Sequence, residues 1–277
     1  MRYSKAGNIP YYIGQIFLII IFAFPLLWVL SLSLKSPAET LESPPGLLPD
    51  QFLFSNYTDV LDTSPLGRYL LNSILLVFLS VSGTLVLAVP AAYALSRFVF
   101  AGRRPYTRSL LAAQLISPLI IAVPVYRLFV QTNLINNYVG LTMVYIAIVA
   151  PFITWFLKTF FDTMPISLDE SAAIDGCSRI RGMWSVVLPT ARPGIASAAI
   201  LASVTSWSQF AIPFILLDDI DLYPVSVGVV NLQASAGEIT TQYVAAGSVM
   251  AIAPVLVLFV LLQKHIVGAL TAGAVKG

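Results

Sequence analysis

Residues 70–96 read LLNSILLVFLSVSGTLVLAVPAAYALS, a run with no acidic residue, lysine, arginine or histidine. A helix needs about 20 mostly apolar residues to cross the hydrocarbon core of a bilayer. The run is continuous rather than alternating in polarity, which is typical of a helix and not of a strand in a membrane barrel. This stretch therefore predicts a membrane-spanning helix.

Five further segments of the chain have the same character. The six predicted spans are residues 11–34, 70–96, 109–126, 138–157, 193–217 and 243–263. Over the whole chain, 58% of residues are hydrophobic and 10% are charged, whereas about a quarter of an average soluble protein is charged. These values exclude the soluble and disordered classes. The sequence predicts an all-α polytopic membrane protein with six transmembrane helices, built as one domain over residues 1–277.

The loops between the predicted spans differ in charge. Of the 15 lysines and arginines, 12 fall in the N-terminus, the loops 97–108 and 158–192, and the C-terminus. Basic residues accumulate on the cytoplasmic side of membrane proteins. We therefore expect a protein of the cell membrane with both termini in the cytoplasm.

The predicted spans contain no ionisable residue. Carriers driven by protons or ions usually place such residues inside the membrane, so energy for transport would have to enter from outside the bilayer. No lysine follows a glycine, which excludes a P-loop in this chain. His265 and Cys177 are the only histidine and cysteine. We expect no metal site, no cofactor and no catalytic residue, and thus not an enzyme.

Polar groups inside the spans indicate where a solute could pass. Amides and indole rings suit a neutral, hydroxyl-rich ligand, although such groups more often join helices to one another. The candidates for the substrate path are Asn72, Gln114, Trp207 and Gln209.

The loop 158–192 carries the most specific pattern. Ser167 and Glu170 have the spacing of a capping box, and Gly176 suits the left-handed position that ends a helix. These residues predict a short helix over 168–175, and a second one is expected over 179–187. Four apolar residues of the loop would be exposed if it were only solvated, which favours a docking surface. They are Leu168, Ile174, Met183 and Trp184.

The run from Glu170 to Gly176, ESAAIDG, followed by Val187-Leu188-Pro189, resembles the coupling loop of ABC importer permeases. The runs 25–35 and 72–98 and the ending 268–277 resemble the carbohydrate group of these permeases, the maltose-permease type. The resemblance implies the type I importer permease fold. Ser171 stands where the family has alanine, and residues 207–210, WSQF, depart from the family pattern, so substrate specificity does not carry over.

The resemblance also implies partners. These are a second, similar permease, two ATPase subunits that hold ATP and Mg, and an external solute-binding protein toward which residues 231–241 would reach. The residues implied at the ATPase contact are Glu170, Ser171, Ala172, Asp175 and Gly176.

Two other classes of function remain open from the residues alone. The chain could be a secondary facilitator or channel subunit for a small neutral solute, or a membrane scaffold. Within the importer reading, the solute could be a disaccharide, an oligosaccharide, an amino sugar or a glycerophosphodiester.

Overall fold

A computed structural model describes residues 9–44, 46–235 and 241–274, and every regular element in these residues is helical. The helices are α1 (Ile9–Ser33), α2 (Pro37–Thr40), α3 (Ser55–Thr63), α4 (Leu66–Arg97), α5 (Arg103–Ala113), α6 (Pro118–Gln131), α7 (Tyr138–Thr163), α8 (Ser167–Ile174), α9 (Arg179–Gly182), α10 (Leu188–Thr190), α11 (Arg192–Trp207), α12 (Ala211–Leu216), α13 (Val225–Ser235) and α14 (Thr241–Ala274). A π-helical turn, Met183–Val187, joins α9 to α10, and a 3-10 turn, Ile220–Leu222, precedes α13. The predicted all-α class is confirmed.

Four helical stretches are long and apolar enough to cross a membrane. They are Gly14–Ser33, Leu66–Arg97, Tyr138–Thr163 and Thr241–Leu258. Two pairs of helices reach that length only together: α5 with α6, bent by 93°, and Arg179–Thr190 with α11, bent by 79°. The described residues thus supply four spans, or up to six if each bent pair counts as one, so the number six stays a prediction.

The predicted third span, residues 109–126, is not one helix. Helix α5 ends at Ala113, and α6 begins at Pro118 after Ser117, whose hydroxyl accepts a hydrogen bond from Leu119 N at 3.3 Å. Ser117 is extended, with φ −61° and ψ 133°, because a residue that precedes proline is disfavoured in the helical region. The apolar run continues through this break, so hydropathy alone does not reveal it.

The predicted fifth span, residues 193–217, is also interrupted. Helix α11 ends at Trp207, and a separate helix, α12, begins at Ala211. A continuous helix would bring the ring of Pro213 against the carbonyl of Gln209, four residues earlier. The interruption covers residues 208–210, within the stretch where the sequence departs from the family pattern.

The chain forms two compact units, of which the first comprises residues 1–67 and 228–253. In this unit the loop after α1 folds around the buried Lys35. Its ammonium group donates to the Gly46 carbonyl and lies 5.4 Å from the centre of the Trp28 ring. The Asn56 amide donates to the carbonyls of Ser33 and Lys35, at 3.0 and 2.9 Å. These bonds fix the end of α1 to α3.

The second unit comprises residues 68–227 and 254–277. One apolar cluster joins α4, α7 and α11 with the chain between α9 and α11, and another joins α4, α6, α7 and α12. At Gly194 the backbone of α11 comes so close to α7 that a Cβ atom would lie 2.4 Å from the Phe160 ring. The loop that carries α8 therefore leads into the same packed core as three long helices.

Candidate functional site

Helix α8 is the predicted short helix of the loop, with both of its ends shifted by one residue toward the N-terminus. It spans Ser167–Ile174, and Ile166 occupies the N-cap position with no side-chain hydrogen bond. The predicted capping box of Ser167 and Glu170 is therefore wrong. The amide of Glu170 instead donates to the Ile166 carbonyl at 3.2 Å. Glu170 is exposed, which leaves its carboxylate available to a partner protein.

The glycine that closes α8 is the one that the sequence predicts. Gly176 has φ +78°, and its amide donates to the Ala173 carbonyl at 3.1 Å. The next amide, of Cys177, donates to the Ala172 carbonyl at 2.9 Å. This pair of bonds is the Schellman arrangement that closes a helix at a left-handed glycine. A Cβ atom at Gly176 would meet nothing within 4 Å, so this corner of the chain points away from the core.

Asp169 fastens α8 to the end of α4. Its carboxylate accepts a hydrogen bond from the Tyr93 hydroxyl at 2.6 Å and lies 2.8 Å from Nε of Arg97. The Asp169 side chain is 21% exposed and the Arg97 side chain is 8% exposed. Another Arg97 nitrogen donates to the Met164 carbonyl at 3.2 Å. We call Tyr93, Arg97 and Asp169 the anchor of α8.

The sequence pattern of the loop did not identify the anchor, because Asp169 is bonded to residues outside the loop. Tyr93 and Arg97 lie one helical turn apart at the end of an apolar run, and side chains at this spacing share a face of the helix. That spacing was the available signal. The sequence does not show that Asp169 is the partner of Tyr93 and Arg97, since it lies more than 70 residues further along the chain.

The small residues of α8 divide into two sets. Ala172 is buried, and a Cβ atom at Gly182 would lie 3.2 Å from its methyl group, so Ala172 packs against the following helix. Ser171 and Ala173 are exposed. Of the residues predicted to contact an ATPase, Ala172 thus supports the surface from beneath, whereas Glu170, Ser171, Asp175 and Gly176 are exposed on it.

Large apolar side chains surround the exposed side of α8. Ile174 is 86% exposed and Trp184 is 62% exposed, as expected of a docking surface. Ile166 and Ile180, which the sequence reasoning did not single out, are exposed as well. Met183 is buried and Leu168 half-buried, contrary to their expected exposure, because the π-helical turn directs Met183 into the core cluster with α4 and α7. We call α8 and these exposed residues the coupling surface.

A cavity of about 560 Å³ lies between the coupling surface and the end of α4. Its lining includes Arg97, Asp169, Glu170 and Arg179, and the guanidinium of Arg179 lies 5.2 Å from the centre of the Phe98 ring. The cavity therefore offers both charge and apolar area. In the part of the chain that is described, no three His, Cys, Asp or Glu side chains could hold a metal ion.

The four predicted substrate-path residues have different surroundings. The Asn72 amide donates to the carbonyls of Asp221 and Tyr223, at 2.8 and 3.1 Å, which engages its donors within the protein. Gln114 is exposed at the break between α5 and α6. The Trp207 side chain is half-buried at the end of α11. The Gln209 carbonyl accepts a hydrogen bond from Ser226 at 2.7 Å.

These positions leave the substrate path a prediction. Gln114 and Gln209 share one property, since each lies where an apolar stretch is interrupted rather than inside a continuous helix. Residues 236–240, part of the segment expected to reach toward a binding protein, lie outside the described residues.

Comparisons with known proteins agree with this architecture. A family model described as "Binding-protein-dependent transport system inner membrane component" matches residues 84–271. The chain is 34% identical over 258 residues to the diacetylchitobiose uptake system permease protein NgcG of Streptomyces coelicolor, covering 93% of this chain and 85% of that protein. It is 32% identical over 279 residues to the trehalose/maltose transport system permease protein MalG of Thermococcus litoralis, covering 100% of both.

Solved structures include a chain that is similar in fold. It is a chain of a bacterial ABC transporter involved in the import of the acidic polysaccharide alginate, with a TM-score of 0.80 at 23% identity. The match covers 95% of this chain and 99% of the other. The likeness therefore extends over the fold of nearly the whole chain.

Proposed function

The chain belongs to the family of binding-protein-dependent transport system inner membrane components, and from this membership we propose that it is the permease subunit of an ATP-driven importer for a sugar or a related solute. It is a multi-pass transmembrane subunit and not an enzyme. In this proposal two ATPase subunits hold ATP and Mg²⁺ in the cytoplasm. A second, similar permease completes the path, and an external binding protein delivers the solute.

The coupling surface is the observation that carries the proposal. Helix α8 is short, closed at Gly176 and surrounded by exposed Ile174 and Trp184. An exposed apolar patch with a polar rim is typical of a protein contact. We assign this contact to the ATPase, with Glu170 and Asp175 as its charged rim. Closure of the ATPase dimer would then move α8 and, through the anchor, α4.

The solute assignment follows from the relatives and from the spans. The two relatives named above transport diacetylchitobiose and trehalose or maltose, according to their names. The predicted spans of this chain carry amide and aromatic groups but no ionisable residue, which suits a neutral sugar better than a charged solute. We propose that Gln114, Trp207 and Gln209 contact the solute, and that Asn72 contributes by holding the segment 221–223 beside the path.

We further propose that both termini and the loops 97–108 and 158–192 are cytoplasmic, on the basis of their share of the basic residues. Single cysteines in a Cys177→Ser background test this. An impermeant thiol reagent applied from outside should label position 50 and spare position 103. Labelling of position 103 in intact cells would show that the loop 97–108 lies outside and would contradict the proposed orientation.

Transport by the reconstituted complex tests the function. The chain is incorporated into proteoliposomes with its partner permease, the ATPase and the binding protein, and uptake of labelled neutral sugars is measured. We expect uptake only with both ATP and binding protein present. Equal uptake without nucleotide would contradict the importer and support the alternative, a secondary facilitator or channel subunit.

A further inference from the structure

A basic cavity separate from the coupling surface lies beside the start of α5. Its volume is about 780 Å³, and it is lined by Arg103, Arg104 and Arg108 of α5 and by Lys158 of α7. The turn before α5 contributes the apolar residues Val99 and Phe100. No acidic residue belongs to the lining, and the loop 97–108 contains none.

Three of these four cations, Arg103, Arg104 and Arg108, have no counter-ion in the part of the chain that is described. Lys158 pairs with Asp162, and a guanidinium nitrogen of Arg103 donates to the Ser96 carbonyl at 3.3 Å. Arg104 and Arg108 are exposed, and neither lies within 4.0 Å of a carboxylate in residues 9–44, 46–235 or 241–274. They lie four residues apart on one helix, a spacing at which like charges repel. An anion between them would remove that repulsion.

The start of α5 adds to the positive potential. Its N-cap is Gly102, with φ +92°, and no side chain caps the helix. The partial positive charge of the first turn is therefore not compensated by a capping oxygen. Gly102 and Pro105 both line the cavity, so this end of the helix contributes directly to it.

The cavity lies beside the ends of two predicted spans, where the headgroup layer of a membrane is expected. The apolar stretch of α7 ends at Leu157, and Lys158 follows it directly; the apolar stretch of α4 ends at Ser96, just before this loop. Val99 is 92% exposed and Phe100 is half exposed. Apolar and basic side chains thus lie side by side, as a ligand with a phosphate and a hydrocarbon tail requires.

We propose that this basic cavity binds the headgroup of an anionic phospholipid, with Arg104 and Arg108 on the phosphate and Val99 and Phe100 against the start of the acyl chains. The leaflet rests on the proposed orientation, which places loop 97–108 on the cytoplasmic side, where anionic lipids are enriched. The binding itself does not depend on transport, so it can fail or hold independently of the proposed function.

Calorimetric titration of the full chain in detergent tests the proposal. The probes are short-chain phosphatidylglycerol, short-chain phosphatidylcholine and inorganic phosphate. We expect saturable binding of phosphatidylglycerol that weakens as NaCl is raised. The double variant Arg104→Gln/Arg108→Gln should lower the affinity roughly 30-fold, since each basic residue near a membrane surface contributes about 1 kcal/mol. Arg127→Gln, which removes another exposed arginine, is the matched control and should bind as the wild type does.

Several results would overturn the proposal. Equal affinity for phosphatidylcholine would show that the headgroup charge is not recognised. Equal affinity for inorganic phosphate would assign the cavity to a soluble phosphate compound instead of a lipid. If the double variant binds phosphatidylglycerol with wild-type affinity and unfolds at the same temperature, the lipid does not bind at Arg104 and Arg108. An equal loss of affinity in Arg127→Gln would show that binding depends only on the net charge of the protein and not on this cavity.

Discussion

Two interruptions of the helical chain, the coupling surface after α7 and the gap between α11 and α12, are held in different ways. Side-chain bonds hold α8, since Asp169 meets Tyr93 and Arg97 across the fold. At residues 208–210 the backbone is held, through the bond from Ser226 to the Gln209 carbonyl. The surface proposed to contact the ATPase is thus tied to a distant helix by side chains, whereas at the gap proposed to meet the solute the Ser208 hydroxyl bonds to the nearby Thr205 carbonyl.

The largest effect should follow from the loss of the anchor. Asp169→Ala leaves the largely buried Arg97 side chain without its carboxylate. Because Asp169 is partly exposed, the cost should lie below the value of about 3–5 kcal/mol for breaking a fully buried ion pair. We expect a lower melting temperature by thermal unfolding, and ATP hydrolysis that solute no longer stimulates. Asp175→Ala, which removes an exposed carboxylate of the same loop, should leave the melting temperature unchanged. Equal melting temperatures in the two variants would contradict the anchor.

A graded version of this change refines the result. Tyr93→Phe removes only the hydroxyl that donates to Asp169, and a hydrogen bond to a charged group contributes about 1.5–3 kcal/mol. The variant should therefore melt between the wild type and Asp169→Ala. A melting temperature at or below that of Asp169→Ala would mean that the Tyr93 ring packing matters more than its bond.

The next effect concerns Gly176, which has a left-handed conformation at the end of α8. Gly176→Leu forces a side chain into a conformation that costs about 1–2 kcal/mol, and it adds volume on the exposed surface. We expect at least fivefold weaker co-purification of the ATPase, while the chain still inserts into the membrane. Gly176→Asn is the matched variant, because asparagine tolerates this conformation. It should weaken co-purification of the ATPase less than Gly176→Leu does. Wild-type association in Gly176→Leu would show that the loop is only a solvated connection.

At the gap between α11 and α12, a substitution should affect solute uptake rather than thermal stability. Gln209→Ala should slow solute uptake and leave thermal unfolding unchanged. Asn72→Ala should lower the melting temperature, because it removes two hydrogen bonds to carbonyl groups, each contributing about 0.5–1.5 kcal/mol. Uptake and unfolding assays on both variants separate the two roles. Normal uptake by Gln209→Ala would place the solute path elsewhere, for instance in the partner permease.

The smallest effect on stability should come from Glu170→Ala. Since Glu170 makes no cap to α8, its removal should leave the melting temperature within the error of the wild type. ATPase co-purification should nevertheless decrease, because the exposed carboxylate is assigned to the contact. A clear loss of thermal stability would indicate that the Glu170 carboxylate makes a stabilising contact within the chain.

The predictability of the coupling surface and of the spans differs for a physical reason. Gly176 is a local signal, since a left-handed position is decided by the residue that occupies it, and its prediction is confirmed. The breaks at Ser117 and at residues 208–210 lie close to Pro118 and Pro213 in stretches whose hydropathy does not change, but other prolines, such as Pro90 and Pro151, lie inside continuous helices. Hydropathy measures transfer into lipid and is insensitive to the direction of the backbone, so it merges two helices into one span.

Burial of single side chains was harder still to predict. Met183 and Trp184 are adjacent apolar residues, yet Met183 lies in the core cluster and Trp184 is exposed. The anchor joins residues that lie more than 70 positions apart, and no local pattern identifies such a pair. The residues that determine the position of α8 are thus divided between two distant parts of the chain.

This division has a consequence for evolution and engineering. A permease that exchanged its loop with a relative would acquire a new α8 but keep its own Tyr93 and Arg97. The graft would fit only if the incoming loop carried a carboxylate at position 169. Recombination between related importers should therefore succeed when residues 93–97 and 166–176 are inherited together, and the two segments should change in concert among descendants.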